Sequence, residues 1–172
     1  MEKWDLYNNE RQLVGVTIER GQPCPQDLYR LVVHICIFNK NGEMLIQQRQ
    51  STKKTWPNYW DLTLGGCVQA GENSRQAARR ELNEELGLDY DFFNDRAYMT
   101  INFDNGFDDF YFIEKDVSLD EVTFKDNEVQ AVRWATKDEI LKMIESKNFI
   151  GYYPSFISAL FEMREARGIH KK

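Results

Sequence analysis

The stretch from Gly66 to Leu88, GCVQAGENSRQAARRELNEELGL, constrains this chain more than any other part of its sequence. If its second half is a helix, Glu81 lies three residues from Glu84 and four from Glu85, so the three carboxylates share one face. Like charges at these spacings destabilise a helix by about 0.2–0.5 kcal/mol per pair. A divalent cation reverses that cost, because Mg²⁺ prefers carboxylate oxygens together with phosphate oxygens and water. The pattern predicts a metal site for a phosphorylated substrate, and its competing interpretation is a solvated glutamate-rich face.

Turn and cap residues bound the predicted helix. Asn73 or Ser74 can cap its start, and Gly87 stands where a helix C-terminus belongs. Its packing side is predicted from apolar residues at i, i+4 and i+8, namely Ala78, Leu82 and Leu86.

The same stretch resembles the Nudix box, Gx5Ex7REUxEExGU with U an aliphatic residue, at every fixed position. Gly66 begins the match, Glu72 follows after five residues, and the pair Arg80-Glu81 follows after seven more. Nine specified positions within 23 residues are far more specific than a short glycine-rich turn. The resemblance implies a Nudix hydrolase, which cleaves a nucleoside diphosphate linked to another group. It also implies an α+β fold, an α/β/α sandwich with a mixed central sheet, here extended by an N-terminal β-hairpin.

The resemblance assigns metal binding to four residues of the box. Glu81, Glu84 and Glu85 would bind or order Mg²⁺, with Mn²⁺ as an alternative, and the carbonyl of Gly66 would complete the metal shell. Metal ions neutralise phosphate charge and lower the pKa of a bound water. Glu84 or Glu85 would relay the proton of that water.

Other residues are implied to support the reaction. Arg80 would pair with the carboxylates of the box and fix the helix, and Glu72 would brace it in the same way. Nudix enzymes often add a further catalytic acid from outside the box, at a position that varies. Glu128, just before the strand-like VQAVRW, is the first choice, with Asp108 and Asp109 as alternatives. A plain surface carboxylate is the competing interpretation of each.

A basic loop lies just before the glycine-rich start of the box. Arg49, Lys53 and Lys54 fall within the run RQSTKK. These cations are predicted to contact the phosphates of the substrate, since point charges suit phosphate oxygens. An ordinary solvated loop is the alternative, and the sequence alone leaves both open.

A second resemblance concerns isopentenyl diphosphate isomerases, which share the fold but shift a double bond by proton transfer. It rests on the run LIQQRQSTKKTWPNYWDLT. These isomerases need a cysteine beside the metal and histidine ligands, and those positions fall on Gly65, on Cys67 and near Arg30. With His34 and His170 as the two histidines of the chain, a three-histidine site cannot be built. We therefore predict an isomerase-like branch of the hydrolases rather than an isomerase.

A third interpretation is a non-catalytic nucleotide-binding protein that kept the fold. The complete set of box glutamates disfavours it, because binding alone would not require every member. Mg²⁺-dependent release of phosphate or of a nucleoside monophosphate would separate an enzyme from such a binder.

Length, charge and cysteine content limit the remaining classes. The 172 residues are predicted to form one Nudix domain over 1–172, with a hairpin and linker over 1–27 and the core over 28–172. A net charge of −6 disfavours a nucleic acid polymer as partner but not a small-molecule diphosphate. Three cysteines without metal-ligand spacing indicate reduced thiols. Because no apolar stretch approaches the roughly 20 residues of a membrane span, we expect a cytoplasmic protein away from membranes, either monomer or homodimer.

Hydrophobic periodicity, turn residues and caps predict the remaining elements. Strands are predicted at Trp4–Tyr7, Leu13–Ile18, Arg30–Asn39, Glu43–Arg49, Tyr90–Phe103, Phe107–Lys115 and Val129–Trp134. Helices are predicted at Thr136–Ser146 and Tyr153–Arg167. His34, inside the first long strand, is interpreted as a core residue rather than a ligand.

Overall fold

The computed structural model describes residues 1–125, 127–165, 168 and 170. Within these residues, six strands precede the first helix, three more strands follow it, and two helices come last. In chain order they are β1 (Lys3–Tyr7), β2 (Leu13–Glu19), β3 (Arg30–Phe38), β4 (Met44–Arg49), β5 (Trp60–Asp61), β6 (Leu64–Cys67), α1 (Ser74–Leu86), β7 (Met99–Phe103), β8 (Gly106–Glu114), β9 (Val129–Ala135), α2 (Lys137–Glu145) and α3 (Pro154–Met163).

A mixed sheet of seven strands forms the centre of the fold. Its main path runs β5-β4-β3-β8-β7, while β6 pairs with β3 and β9 pairs with β4. β3 runs parallel to β8 over its whole length and antiparallel to β6. β1 and β2 form a separate antiparallel hairpin. The predicted α+β class, with its mixed central sheet and N-terminal hairpin, is confirmed.

β3 and β4 separate soon after the turn that joins them. The ladder between them pairs Phe38 with Met44, and beyond that point the two strands take other neighbours. Thr63 fills the gap, because its hydroxyl accepts the N–H of Ile37 (2.9 Å) and donates to the carbonyl of Leu45. Thr63 is fully buried. Its hydroxyl therefore replaces ladder hydrogen bonds that the core cannot leave unmade.

Helices cover both faces of the sheet. Val33 and Ile35 of β3 pack with the apolar side of α1, whereas Cys36 packs with α2 and α3. Successive side chains of a strand point to opposite faces, so the arrangement is an α/β/α sandwich. Over the described ranges, none of the helices combines the length and the apolar character that crossing a bilayer demands.

The N-terminal hairpin is fastened to the core by apolar and polar contacts. Trp4 on β1 is buried in a small apolar cluster against which Cys67 of β6 packs. Arg11, between β1 and β2, donates two hydrogen bonds to Asp109 of β8, at 3.0 and 2.8 Å. Asp109 also accepts hydrogen bonds from Ser74 at the start of α1 and from Thr100 of β7. This buried carboxylate therefore joins the hairpin, the box helix and the sheet.

Two element predictions differ from the structure. The strand predicted over Tyr90–Phe103 is wrong in its first part, since β7 occupies Met99–Phe103. The preceding residues form a turn in which Asp95 donates its N–H to the carbonyl of Phe92, because Asp and Asn there favour turns over strands. The last helix ends at Met163. Residues 166 and 167, the end of the predicted helix, lie outside the described residues.

Candidate active site

Helix α1 is capped at both ends, which fixes the direction of its side chains. Asn73 accepts the N–H groups of Arg75 and Gln76, and the Gln76 side chain accepts the N–H of Asn73 in return. Gly87 ends the helix in the left-handed conformation, with φ of 68°. Ser74, the alternative cap, instead bonds to Asp109 on the sheet. A cap of this kind stabilises a helix by about 1 kcal/mol.

Arg80 gathers the carboxylates of the box. Its Nε and Nη2 donate to the two oxygens of Glu72, at 2.8 and 3.0 Å. Its Nη1 donates to Glu81 at 2.8 Å and to Glu84 at 3.0 Å, and Nη2 also reaches the carbonyl of Cys67. Burial disfavours the cation, but its hydrogen bonds to Glu72 and the charge of Glu81 outweigh burial and raise the pKa of Arg80. Arg80 thus pairs with three carboxylates of the box, and the bracing roles of Arg80 and Glu72 stay predictions.

Glu81 lies in a tight space against β6. Its side chain is 12% exposed, and a Cβ added to Gly66 would collide with its carboxylate. Burial raises the pKa of Glu81 to about 7, although Arg80 acts in the opposite direction. A buried carboxylate of this kind is stabilised by any further cation that reaches it. Position 66 must therefore remain glycine for Glu81 to occupy this place.

Glu84 and Glu85 face different surroundings although they are neighbours in sequence. The side chain of Glu84 is 50% exposed and lines the cleft beside Glu81. Glu85 is 2% exposed and lies on the packing side of α1 with the helix's buried apolar residues. The structure thus brings two of the three predicted metal ligands to the cleft wall and places the third beneath them.

The cleft has a volume of about 520 Å³. Glu81 and Glu84 line it from α1, Gly66 from β6, and Lys53 and Glu128 from the loops before β5 and β9. The N-terminal hairpin also contributes to its walls, through Glu2, Trp4 and Arg20. Acidic and basic side chains thus face one another across a space that admits a small anionic ligand.

The three predicted phosphate contacts lie in different places. Lys53 Nζ lies 2.6 Å from Glu128 Oε2, so a predicted phosphate contact and the predicted catalytic acid form an ion pair. Arg49 also lines the cleft, where it donates to a loop carbonyl and lies 3.9 Å from Asp61. Lys54 is exposed and is not among the residues that line the cleft.

A second cavity of about 390 Å³ adjoins the cleft at Gly66. His34 lines it, with Nε2 at 3.3 Å from Asp108, one of the alternative catalytic acids. His34 therefore has a partner, as a core histidine should, but it also faces open space. Asp61 lines the same cavity and accepts the hydroxyl of Tyr152 at 2.8 Å. Burial raises the pKa of Asp61.

The carboxylates do not converge on one point. In the described part of the chain, no three His, Cys, Asp or Glu side chains are grouped so that they could hold a metal ion together. The reason lies in their partners, because Arg80 holds Glu81 and Glu84 while Lys53 holds Glu128. The donor set of carboxylate and carbonyl oxygens fits a hard divalent cation. A bound ion would have to replace cationic side chains at some of these oxygens.

Several residues of the site escape sequence reasoning. Trp4 and Arg20 reach the cleft because the hairpin folds back over the core, which no local pattern reveals. Asp61 sits in a very short strand whose register cannot be inferred from two residues. Arg30 could have been noticed from the sequence, because it is a cation at the start of the largely apolar run RLVVHICIF.

The fold and the box helix define the class of this protein. The family model of the NUDIX domain matches residues 28–153, which include β3 to α2 and the cleft residues Glu81, Glu84 and Glu128. The chain therefore belongs to the Nudix hydrolase family.

Relatives and solved structures resemble the chain over most of its length. A protein of Listeria innocua named as an uncharacterized Nudix hydrolase is 47% identical over 170 residues, covering 99% of both chains. A Nudix hydrolase of Deinococcus radiodurans is 28% identical over 144 residues, covering 83% of this chain and 84% of that protein. The crystal structure of DR0079 from Deinococcus radiodurans superposes with a TM-score of 0.75 at 27% identity, covering 92% of this chain and 98% of the other.

Proposed function

We propose that this protein is a Mg²⁺-dependent hydrolase that cleaves a diphosphate linkage in a nucleoside diphosphate derivative or a related organic pyrophosphate. The observation that supports this most directly is the pair Glu81 and Glu84, joined by Arg80 on the wall of a cleft that also holds Glu128. Nudix hydrolases generally depend on a divalent metal and act on small molecules. Mg²⁺ is the metal that we propose, because hard oxygen donors and a phosphorylated substrate suit it; Mn²⁺ is the alternative.

The metal would be held by Glu81, Glu84, Glu85 and the carbonyl of Gly66. When bound, it neutralises charge on the diphosphate and lowers the pKa of a water molecule. Burial and the raised pKa of Glu81 favour such a cation, because that carboxylate lacks full compensation from Arg80 alone.

Arg80 keeps the box helix in place while its neighbours change partners. Its paired hydrogen bonds to Glu72, at 2.8 and 3.0 Å, do not involve the carboxylates proposed to bind metal. Paired hydrogen bonds of this kind fix the orientation of the guanidinium and also stabilise the contact. Arg80 can therefore release Glu84 to a metal ion and still hold α1 against β6 through Glu72 and the carbonyl of Cys67.

Glu128 is the proposed acceptor for the proton of the attacking water. It lines the cleft, and its ion pair with Lys53 brings a cation to the same wall. A positioned carboxylate can take such a proton within hydrogen-bond reach. The alternatives are less suited: Asp109 is engaged by several donors of the fold, and Asp108 lies with His34 in the adjoining cavity.

Isomerisation is disfavoured by the same geometry. The thiol nearest the site is Cys67, and burial raises its pKa to about 11, which leaves little thiolate at neutral pH. The position expected for a catalytic cysteine is Gly65, where a Cβ would press on the ring of His34. The isomerase-like branch stays a prediction, and formation of dimethylallyl diphosphate from isopentenyl diphosphate would contradict the hydrolase proposal.

The proposed function is tested by a panel of diphosphate compounds assayed for Mg²⁺-dependent release of phosphate or nucleoside monophosphate. On any substrate found, Glu84→Gln should lower turnover at least about 10³-fold while the circular dichroism spectrum is retained. Glu145→Gln, at the exposed end of α2, is the matched control and should retain wild-type turnover. An unchanged rate for Glu84→Gln at saturating Mg²⁺ would refute the site.

A further inference from the structure

We infer that Arg30 binds the diphosphate of the substrate and that the N-terminal hairpin holds Arg30 in position through Trp4. The inference rests on the proposed function and adds to it a residue that belongs to neither the Nudix box nor the basic loop. It also makes the hairpin part of the substrate site.

Two aromatic rings enclose the guanidinium of Arg30. Its Cζ lies 5.6 Å from the ring centroid of Trp4 on β1 and 5.4 Å from that of Phe103 on β7. The face of an aromatic ring attracts a guanidinium through the face of the guanidinium. The N–H groups therefore stay free to point outward in the plane of the guanidinium. A cation confined in this way loses little further rotamer freedom when it binds an anion.

Among the residues that the structure describes, Arg30 differs from the other cations of the cleft because it has no carboxylate partner. Within the described ranges, no ion pair and no side-chain hydrogen bond involves Arg30, and its Nε is buried without an acceptor. A buried donor without an acceptor is costly, so this atom favours the approach of an acceptor that the described residues do not supply. The other cleft cations each lie within 3.9 Å of a carboxylate, namely Arg20, Arg49, Lys53 and Arg80.

The position of Arg30 matches the path of an elongated substrate. Arg30 lines both the cleft that holds Glu81 and the adjoining cavity that holds Asp61. A substrate with its diphosphate at the glutamates and its organic group in the second cavity would pass the residues that line both spaces, and Arg30 is one of them. Because guanidinium groups match the geometry of phosphate oxygens, the free N–H groups select a phosphate at the junction.

The inference is tested by measuring the binding of imidodiphosphate in the presence of Mg²⁺. Imidodiphosphate is a diphosphate analogue whose bridge is not hydrolysed. By isothermal titration calorimetry, Arg30→Met should weaken binding at least about tenfold, since it removes charge-assisted hydrogen bonds. Arg30→Lys keeps the charge and should recover part of the affinity. Trp4→Leu keeps the cation but removes one ring, and it should weaken binding about threefold or more.

The matched control is Arg75→Met. Arg75 also places its guanidinium over a ring, 5.9 Å from the centroid of Phe93, but it is exposed at the start of α1 and is not among the residues that line the cleft. Its loss should leave binding unchanged. If Arg30 contacts the diphosphate through its charge, binding by Arg30→Met should depend less on salt concentration than binding by the wild type. A purely structural defect would not change this dependence.

The outcomes separate this inference from the function on which it rests. If wild-type protein hydrolyses a diphosphate while folded Arg30→Met and Arg30→Lys keep wild-type affinity and KM, Arg30 has no such role and the proposed function stands. If wild-type protein neither binds imidodiphosphate nor hydrolyses any member of the panel, both fail together. Thermal unfolding of each variant shows whether weaker binding comes from loss of the fold, and weakening in proportion to unfolded protein counts against the inference.

Discussion

The substitution Glu81→Gln should remove the loss of stability that the wild type undergoes as the pH rises from 5 to 8, and it should abolish activity. Burial raises the pKa of Glu81 from 4.5 to about 7 in the folded protein. The folded state therefore binds more protons than the unfolded state between these values. The stabilisation is full below pH 4.5 and is lost as the pH rises through 7. From these two values, ionisation of Glu81 lowers the free energy of unfolding of the wild type by about 2–3 kcal/mol between pH 5 and pH 8.

Glutamine cannot ionise, so this loss should be missing in the variant. Urea unfolding at pH 5 and pH 8, with EDTA to remove metal, gives the free energy of unfolding of both proteins. The variant should gain about 2–3 kcal/mol on the wild type between the two pH values. Arg80 holds the ionised carboxylate more strongly than the protonated one, and this difference is already contained in the raised pKa of Glu81. Glu145→Gln serves as the exposed control.

A stability difference between variant and wild type that stays the same, within about 0.5 kcal/mol, at both pH values would refute the reasoning. It would mean that Glu81 is not penalised by burial and does not need a cation. Mg²⁺ added at pH 8 should stabilise the wild type more than the variant, because ligand that binds the folded state adds to its stability. Equal stabilisation would place the metal elsewhere.

Three further outcomes follow from particular contacts. Gly66→Ala should lower kcat about 10²-fold with the fold retained, because the new methyl group displaces the Glu81 carboxylate; an assay at saturating Mg²⁺ measures this. Cys67→Ala should leave hydrolysis nearly intact, and the wild-type thiol should react slowly with a thiol reagent at pH 8, since burial raises its pKa to about 11. Thr63→Val should lower the free energy of unfolding by about 2–5 kcal/mol, because it leaves two buried backbone groups unpaired; urea unfolding measures this against Thr17→Val at an exposed position.

The parts of the fold that follow from local signals could be predicted. The apolar run from Arg30, the turn before Glu43 and the capping box of Thr136 with Glu139 all give elements close to the predicted ones. The N-cap of α1 could be narrowed to Asn73 or Ser74, because both residue types are good caps. Asn73 is the cap in the structure, whereas the hydroxyl of Ser74 donates a hydrogen bond to Asp109.

The rest depends on contacts between distant segments. The strand predicted from Tyr90 is wrong in its first part because Phe92, although buried, lies in a turn. Burial alone does not reveal backbone conformation. In the site, helical spacing puts Glu85 near Glu81 but cannot show that the sheet packs against that side. Lys53 could be identified as a cation near the site, whereas its pairing with Glu128 joins residues 75 positions apart.

Asp109 has a consequence for how this chain can be shortened. The NUDIX domain match begins at residue 28, which makes the hairpin look like a separable extension. Yet a chain that started there would lose Arg11 and leave a carboxylate, 3% exposed, with a deficit of positive charge at the point where the box helix begins. Such a truncated enzyme would lose activity through a misplaced helix even though every residue of the box was still present.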